Sequence, residues 1–204
     1  MRTLVANFYR EKVDEKISRY VELTGLYSEP VDVPGMALEP CYDMETFAAV
    51  VISGSQWMLA SEDAPPATKE FIRGLRIPTL GICFGHQLLA RSYGAEVLDG
   101  ELIERNETVL VTEQHPLLQG LGPEFEMLES HREYVDYGSA ERSGWHVFAS
   151  SASCPVEAMH HPTYPLMGVQ FHPERSGQNG EKLFENFYRN IVLPFQRTRE
   201  SRGY

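Results

Sequence analysis

The chain is poor in cysteine, poor in cations, and without a long apolar run. Its three cysteines, Cys41, Cys83 and Cys154, are an odd number at no metal-like spacing. Neither a disulfide framework nor a zinc site is expected, and Cys41 and Cys154 read as structural thiols. Lys and Arg number 18 against 29 Asp and Glu, a net charge of −11. That balance argues against phosphate-backbone binding, so no nucleic acid partner is expected. The N-terminal apolar run is too short for a secretory signal, and no later run approaches the roughly 20 residues that span a bilayer. No membrane partner is expected, and the default setting is reduced and cytoplasmic. Repeats, low-complexity segments, linkers and Gly-rich phosphate loops are also missing. The expectation is one domain over residues 1–195 followed by a loose polar tail, 196–204.

What is present is a strand-and-helix alternation. Apolar runs at Leu4–Phe8, Leu26–Val33, Phe47–Ile52 and Ile77–Ile82 predict strands. Phe47–Ile52 is apolar throughout, as a central parallel strand buried on both faces requires. Between the strands, Glu11–Leu23 and Ala67–Leu75 carry helical periodicity. Such βαβ units imply a parallel sheet with helices on both sides. After Gly94 only short apolar runs follow, Val97, Leu102–Ile103, Val109–Val111, Phe125–Leu128, Trp145–Ala149, Val156–Met159 and Leu166–Phe171. These predict strands and hairpins added to the sheet. A last helix is expected from about Gly177 to Ile191, closed by Pro194. The fold class is therefore α/β, three-layered, with a mainly parallel central sheet and antiparallel strands added in the second half.

The chemistry centres on Gly81-Ile82-Cys83-Phe84-Gly85-His86-Gln87. Gly81-x-Cys83-x-Gly85 has the form of a nucleophile elbow with Cys in place of Ser. The turn would hold the sulfur off the sheet edge, facing the first free N–H groups and the positive end of the following helix, which favours thiolate. A buried Cys in a strand-to-helix turn fits the pentapeptide equally well. A cysteine nucleophile needs an imidazole and a group to orient it. Of seven histidines, His86 begins a helix leading away from the sulfur, and His115, His146, His160 and His161 lie in polar or turn-like stretches that read as surface. His131, after an apolar strand, and His172 remain. His172 is the stronger, because Pro173 fixes the chain direction behind it and Glu174 can return its carboxylate to the ring. Cys83 and His172 both follow apolar runs, at the strand ends where active groups of parallel sheets gather.

Together, Gly81–Gln87 and Gly168-Val169-Gln170-Phe171-His172-Pro173-Glu174 resemble the two motifs of class I glutamine amidotransferases, in the expected order, across about residues 45–193. The flavodoxin-like sheet of that family agrees with the α/β reading. The resemblance implies a Cys83–His172–Glu174 triad that hydrolyses the glutamine side-chain amide. It implies an oxyanion site from the backbone of Phe84 and Gly54, and substrate contacts at Gly54, Gln56, Gln87, Ser130, His131, Arg132 and Glu133. His131 would then shape the pocket. Ser130-His131 and Cys154-Pro155-Val156-Glu157-Ala158-Met159 resemble the amidotransferase half of GMP synthases. Ser53-Gly54-Ser55 and Phe8-Tyr9-Arg10 depart from that subgroup, which usually has a Gly-Gly-Pro type turn and a glycine-containing start. The chemistry implied needs no metal or organic cofactor. The implied partners are glutamine or a γ-glutamyl compound and a separate synthetase subunit that takes the ammonia. A γ-glutamyl hydrolase without ammonia channelling and a non-catalytic interaction protein are the alternatives. Trp57-Met58-Leu59, beside the turn, reads either as local packing or as a docking surface.

Overall fold

A computed structural model describes residues 1–202. Its first half alternates β1 (Arg2–Asn7), α1 (Val13–Gly25), β2 (Glu29–Pro34), β3 (Phe47–Ile52), α2 (Pro66–Gly74), β4 (Thr79–Ile82) and α3 (Phe84–Ser92). Its second half supplies β5 (Val97–Val111), β6 (Glu124–Val135), α4 (Tyr137–Arg142), β7 (His146–Ser150), β8 (Ala158–His160) and β9 (Leu166–Val169). All nine strands form one sheet in the order β2-β1-β3-β4-β9-β8-β7-β5-β6. The first five in that order pair parallel and the rest antiparallel. The mainly parallel half and the added antiparallel strands are thus where the apolar runs predict them.

The apolar core divides by strand alternation. Leu4, Ala6, Val50, Ile52 and Leu166 pack on one face with Phe71, Phe84 and Leu88 from α2 and α3. Val5, Val51, Leu80, Ile82 and Met167 pack on the other with Ile17 and Tyr20 from α1 and Leu183 and Phe184 from α5 (Gly177–Asn186). β3 is buried at every position, as its continuous apolar run requires. β9 slots beside β4 in register, Gly81 opposite Gly168 and Ile82 opposite Val169. This pairing brings the chain after Ile82 and the chain after Val169 to the same sheet edge, although they are far apart in sequence.

Three expectations are corrected. The runs at Val97, Leu102–Ile103 and Val109–Val111 belong to one strand, β5, which pairs with β6 from Val97↔Val135 to Leu110↔Glu124 through an irregularity between Asp99 and Ile103. Pro194 does not end the last helix. A π-helical segment, Phe187–Val192, follows α5, with Leu193 N–H bonded to Tyr188 O, and α6 continues from Leu193 to Arg202. Proline is tolerated because it sits at the second position of the new segment, where its missing N–H costs little. The tail expected to be loose is therefore helical as far as Arg202, and its last two residues, 203 and 204, lie outside the described residues. Trp57 and Leu59 are buried, with the Trp57 ring stacked on Phe84 at 5.7 Å, so that stretch is local packing. No helix among the described residues is long and apolar enough to cross a membrane.

Candidate active site

Cys83 joins β4 to α3 with φ 52° and ψ −106°. It is one of two non-glycine residues with positive φ among the described residues, the other being Lys12. Such a backbone stores about 1–3 kcal/mol of strain and persists only where the surroundings enforce it. Here they do, since Cys83 N–H donates to Val169 O at 2.8 Å and Cys83 O accepts from Gln87 N–H at 3.0 Å. The flanking glycines are required for space, not for φ. A Cβ on Gly81 would lie 2.5 Å from Gly85 O, and one on Gly85 would lie 2.5 Å from Ile52 O. The cysteine itself carries the torsional load. Its Sγ–H points to Ser130 O at 3.9 Å, and Gln170 Nε2 donates to Sγ at 3.7 Å.

His172 follows β9. Its backbone N–H donates to Leu128 O at 2.9 Å, and Pro173 opens a tight turn, Pro173–Arg175. That turn carries Glu174 back to the ring, where Oε1 lies 2.7 Å from His172 Nδ1. Both side chains are buried. Nδ1 is thereby the protonated nitrogen facing the carboxylate, and Nε2, which has no hydrogen-bond partner, is left for chemistry. Burial disfavours the imidazolium, but the Glu174 carboxylate and the neighbouring Cys83 sulfur outweigh it and hold His172 well above the ordinary imidazole range. His86, also buried, has no carboxylate to offset its burial and falls to about 3, against the opposing pull of the Gly168 and Val156 backbone. It stays neutral, wedged against Gly168, where a Cβ would come 2.6 Å from its Nδ1.

Cys83, His172 and Glu174 open on one cleft of about 1030 Å³, which Gln56, Phe84, Gln87, Ser130, His131, Arg132 and Glu133 also line. The predicted residues thus converge, with differences in detail. Phe84, first residue of α3, has an N–H with no partner inside the helix. Gly54 N–H, expected free to hold an oxyanion, instead donates to Tyr20 Oη at 3.1 Å. Gln56 ties its loop to the chain after β1, accepting from Arg10 N–H at 3.4 Å and donating to Glu11 O at 3.5 Å. Gln87 commits its amide nitrogen to Glu133 O at 2.7 Å and Gln170 Oε1 at 3.1 Å. The Glu133 carboxylate turns away to cap Leu59 and Ala60 N–H at 2.7 and 2.8 Å. Arg132 is exposed at the rim, its guanidinium 3.4 Å from Gly100 O. His131 is buried, with Nδ1 3.0 Å from Glu133 O and Nε2 3.4 Å from Glu129 Oε2.

Four groups at the site escape the sequence reading. Gln170 lies inside the His-Pro-Glu stretch, and its apolar neighbours signal a buried polar side chain. Glu129 shares the inward-facing parity of His131 and Glu133 on β6. Burial raises Glu129 to about 7 and raises its neighbour Glu157 well above the carboxylate range. Tyr9 and Tyr20, from β1's exit and α1, bring their hydroxyls within 3.2 Å of each other. The four histidines expected on the surface are mostly half-buried, His115 stacking on Phe148 at 4.2 Å and on His160 at 4.9 Å, away from the cleft.

The chain's relatives point the same way. A family model described as glutamine amidotransferase class-I matches residues 4–191. A glutamine-hydrolyzing GMP synthase subunit of Methanothermobacter thermautotrophicus is 41% identical over 121 residues, 58% of this chain and 63% of that protein. The glutamine-hydrolyzing GMP synthase of Thermosipho melanesiensis is 32% identical over 193 residues, 94% of this chain. The matched stretch spans only 36% of that relative's length. A candidate GMP synthase subunit from Thermoplasma acidophilum shares the fold, with a TM-score of 0.85 at 24% identity over 98% of both chains. A glutamine amidotransferase from Thermotoga maritima gives 0.68 at 18% identity, over 96% of this chain and 85% of its own.

Proposed function

The chain belongs to the class I glutamine amidotransferase family, and from that premise we propose that it hydrolyses glutamine and hands the ammonia to a separate synthetase subunit. The observation that carries this reading is the convergence of Cys83, His172 and Glu174 on one cleft, with Cys83 held at positive φ between strand and helix. Cys83 Sγ gives its proton to His172 Nε2 and attacks the amide carbon of the substrate. The tetrahedral oxyanion faces the N–H of Phe84. His172 Nε2–H protonates the departing nitrogen, the carbon–nitrogen bond breaks, and a γ-glutamyl thioester remains on Cys83. Neutral His172 then takes a proton from water, whose oxygen attacks the thioester, and glutamate leaves as the thiolate is restored. Glu174 holds the ring in the tautomer this requires. Ser130, Gln87 and the His131–Glu133 segment shape the pocket for the amide and its amino acid end. No metal or organic cofactor enters any step.

The names of the relatives point to a GMP-forming synthetase as the acceptor of the ammonia. The test is ammonia release from glutamine by this chain alone and with the synthetase subunit copurified from its native cell. The expected result is slow hydrolysis that rises with the partner and disappears in Cys83→Ala. Full activity in that variant sinks the mechanism. Faster cleavage of larger γ-glutamyl compounds, indifferent to any partner, would instead assign the site to a γ-glutamyl hydrolase.

A further inference from the structure

The segment Phe8-Tyr9-Arg10 departs from the subgroup pattern, and it places one hydroxyl in the cleft. Tyr9 lines the same cavity as Cys83, Phe84 and His172. Its ring is held edge-on to Tyr20 at 6.1 Å, and its Oη is 3.2 Å from Tyr20 Oη. The contact point is the Gly54 turn. A Cβ built on Gly54 would lie 2.8 Å from Tyr9 Oη and 3.2 Å from His172 Cε1. The Tyr9 hydroxyl and the His172 ring therefore flank the same side of the Gly54 turn, whose N–H is already taken.

Proton accounting fixes which way the hydroxyls point. A phenol has one proton to give. Tyr20 is fully buried and accepts from Gly54 N–H at 3.1 Å. Its own proton has one acceptor among the described residues, Tyr9 Oη. Glu174 Oε2, the nearby alternative, has no hydrogen-bond partner at all. An undonated hydroxyl at a fully buried site is costly. The chain of bonds thus runs from Gly54 N–H to Tyr20 and from Tyr20 to Tyr9, leaving the Tyr9 proton free toward the cleft.

We propose that Tyr9 Oη–H is the second donor of the oxyanion site, acting with Phe84 N–H where Gly54 N–H cannot, and that it is a catalytic residue of this chain. The inference rests on the glutamine-hydrolase reading. Tyr20 is the positioning residue that aims it. A donor that meets only the tetrahedral oxygen raises kcat and leaves substrate binding alone.

The test compares Tyr9→Phe and Tyr20→Phe with the parent chain, using glutamine turnover and the binding of a glutamine-derived aldehyde. The aldehyde forms a tetrahedral adduct on Cys83 and needs no partner protein for its readout. Tyr9→Phe is expected to lower kcat about 10²-fold with KM within about threefold, and to weaken aldehyde binding in step with kcat. Tyr20→Phe frees Gly54 N–H to serve in the donor's place, so its loss should be the smaller of the two. Parental kcat and aldehyde affinity in Tyr9→Phe overturn the inference while leaving the hydrolase reading intact. So does a larger loss in Tyr20→Phe than in Tyr9→Phe. A parent chain that neither hydrolyses glutamine nor binds the aldehyde takes both down.

Discussion

His172 Nδ1 and Glu174 Oε1 meet at 2.7 Å inside the protein, two residues apart in sequence, because Pro173 turns the chain back on itself between them. A buried carboxylate this close lends the imidazolium more than burial takes away. Replacing it with the isosteric amide keeps the shape and removes the charge. Glu174→Gln should therefore cost at least about 10²-fold in kcat and lower the melting temperature most at mildly acid pH, where the ion pair is intact. Its pH signature is specific. A base with a raised folded-state pKa adds stability that is complete below the ordinary imidazole value, about 6.5, and is lost as pH climbs through the raised value. The parent's melting midpoint should thus fall above neutrality, and that fall should shrink in Glu174→Gln. Parallel curves would rule out the ion pair.

Cys83 offers a separation of stability from activity. Cys83→Gly is expected to abolish hydrolysis yet raise stability by up to about 1 kcal/mol over Cys83→Ala, because only glycine adopts φ 52°, ψ −106° without strain. Chemical denaturation of the two variants decides it. Equal midpoints would mean that the elbow is relaxed.

The buried acid Glu129 supplies the opposite experiment. Burial lifts it from 4.5 to about 7, with the His172 charge pulling the other way. Neither its carboxylate oxygens nor those of Glu157 have a hydrogen-bond partner among the described residues. A raised folded-state pKa means stability lost as pH rises through about 7. Glu129→Gln carries no proton to lose. It should melt higher than the parent at about pH 8 and show a smaller difference at about pH 5, on either side of that titration. A constant offset at both pH values would exclude the charged carboxylate as the cause.

The elbow's glycines are constrained by volume. Gly85→Ala would place a Cβ 2.5 Å from Ile52 O and 2.9 Å from Ile52 Cβ, contacts that only a backbone shift can relieve. A loss of about 3 kcal/mol is expected, together with loss of labelling at Cys83 by glutamine-like electrophiles. A variant as stable as the parent would show that α3 can slide away from β3.

The catalytic trio is legible in the sequence because each part is local. Apolar runs fix the strand ends, glycines bracket the cysteine, and the His-Pro-Glu order brings base and orienter together within one turn. What escapes is what depends on distant packing. Tyr20 reads as one more apolar position on α1, yet its hydroxyl reaches Gly54, 34 residues on. β5 reads as three fragments because it is exposed along much of its length, so no alternation links them. Pro194 reads as a stop because the π-helical turn before it leaves no local mark. Trp57 reads as an apolar patch of either kind until Phe84 is seen beneath it.

That π-helical turn has a consequence for how the molecule is fastened. Leu183, Phe184, Phe187, Tyr188 and Val192 lie on one face of the sheet, whereas Phe195 packs with the cluster on the other, and Gln196 Nε2 holds Ala48 O at 3.0 Å. The extra residue in the turn rotates the helix's apolar stripe, so one continuous rod clasps both sides of the sheet like a cotter pin. Trimming the chain after Val192 would leave the first face covered and unpin the second, loosening the end of β3 opposite the cleft.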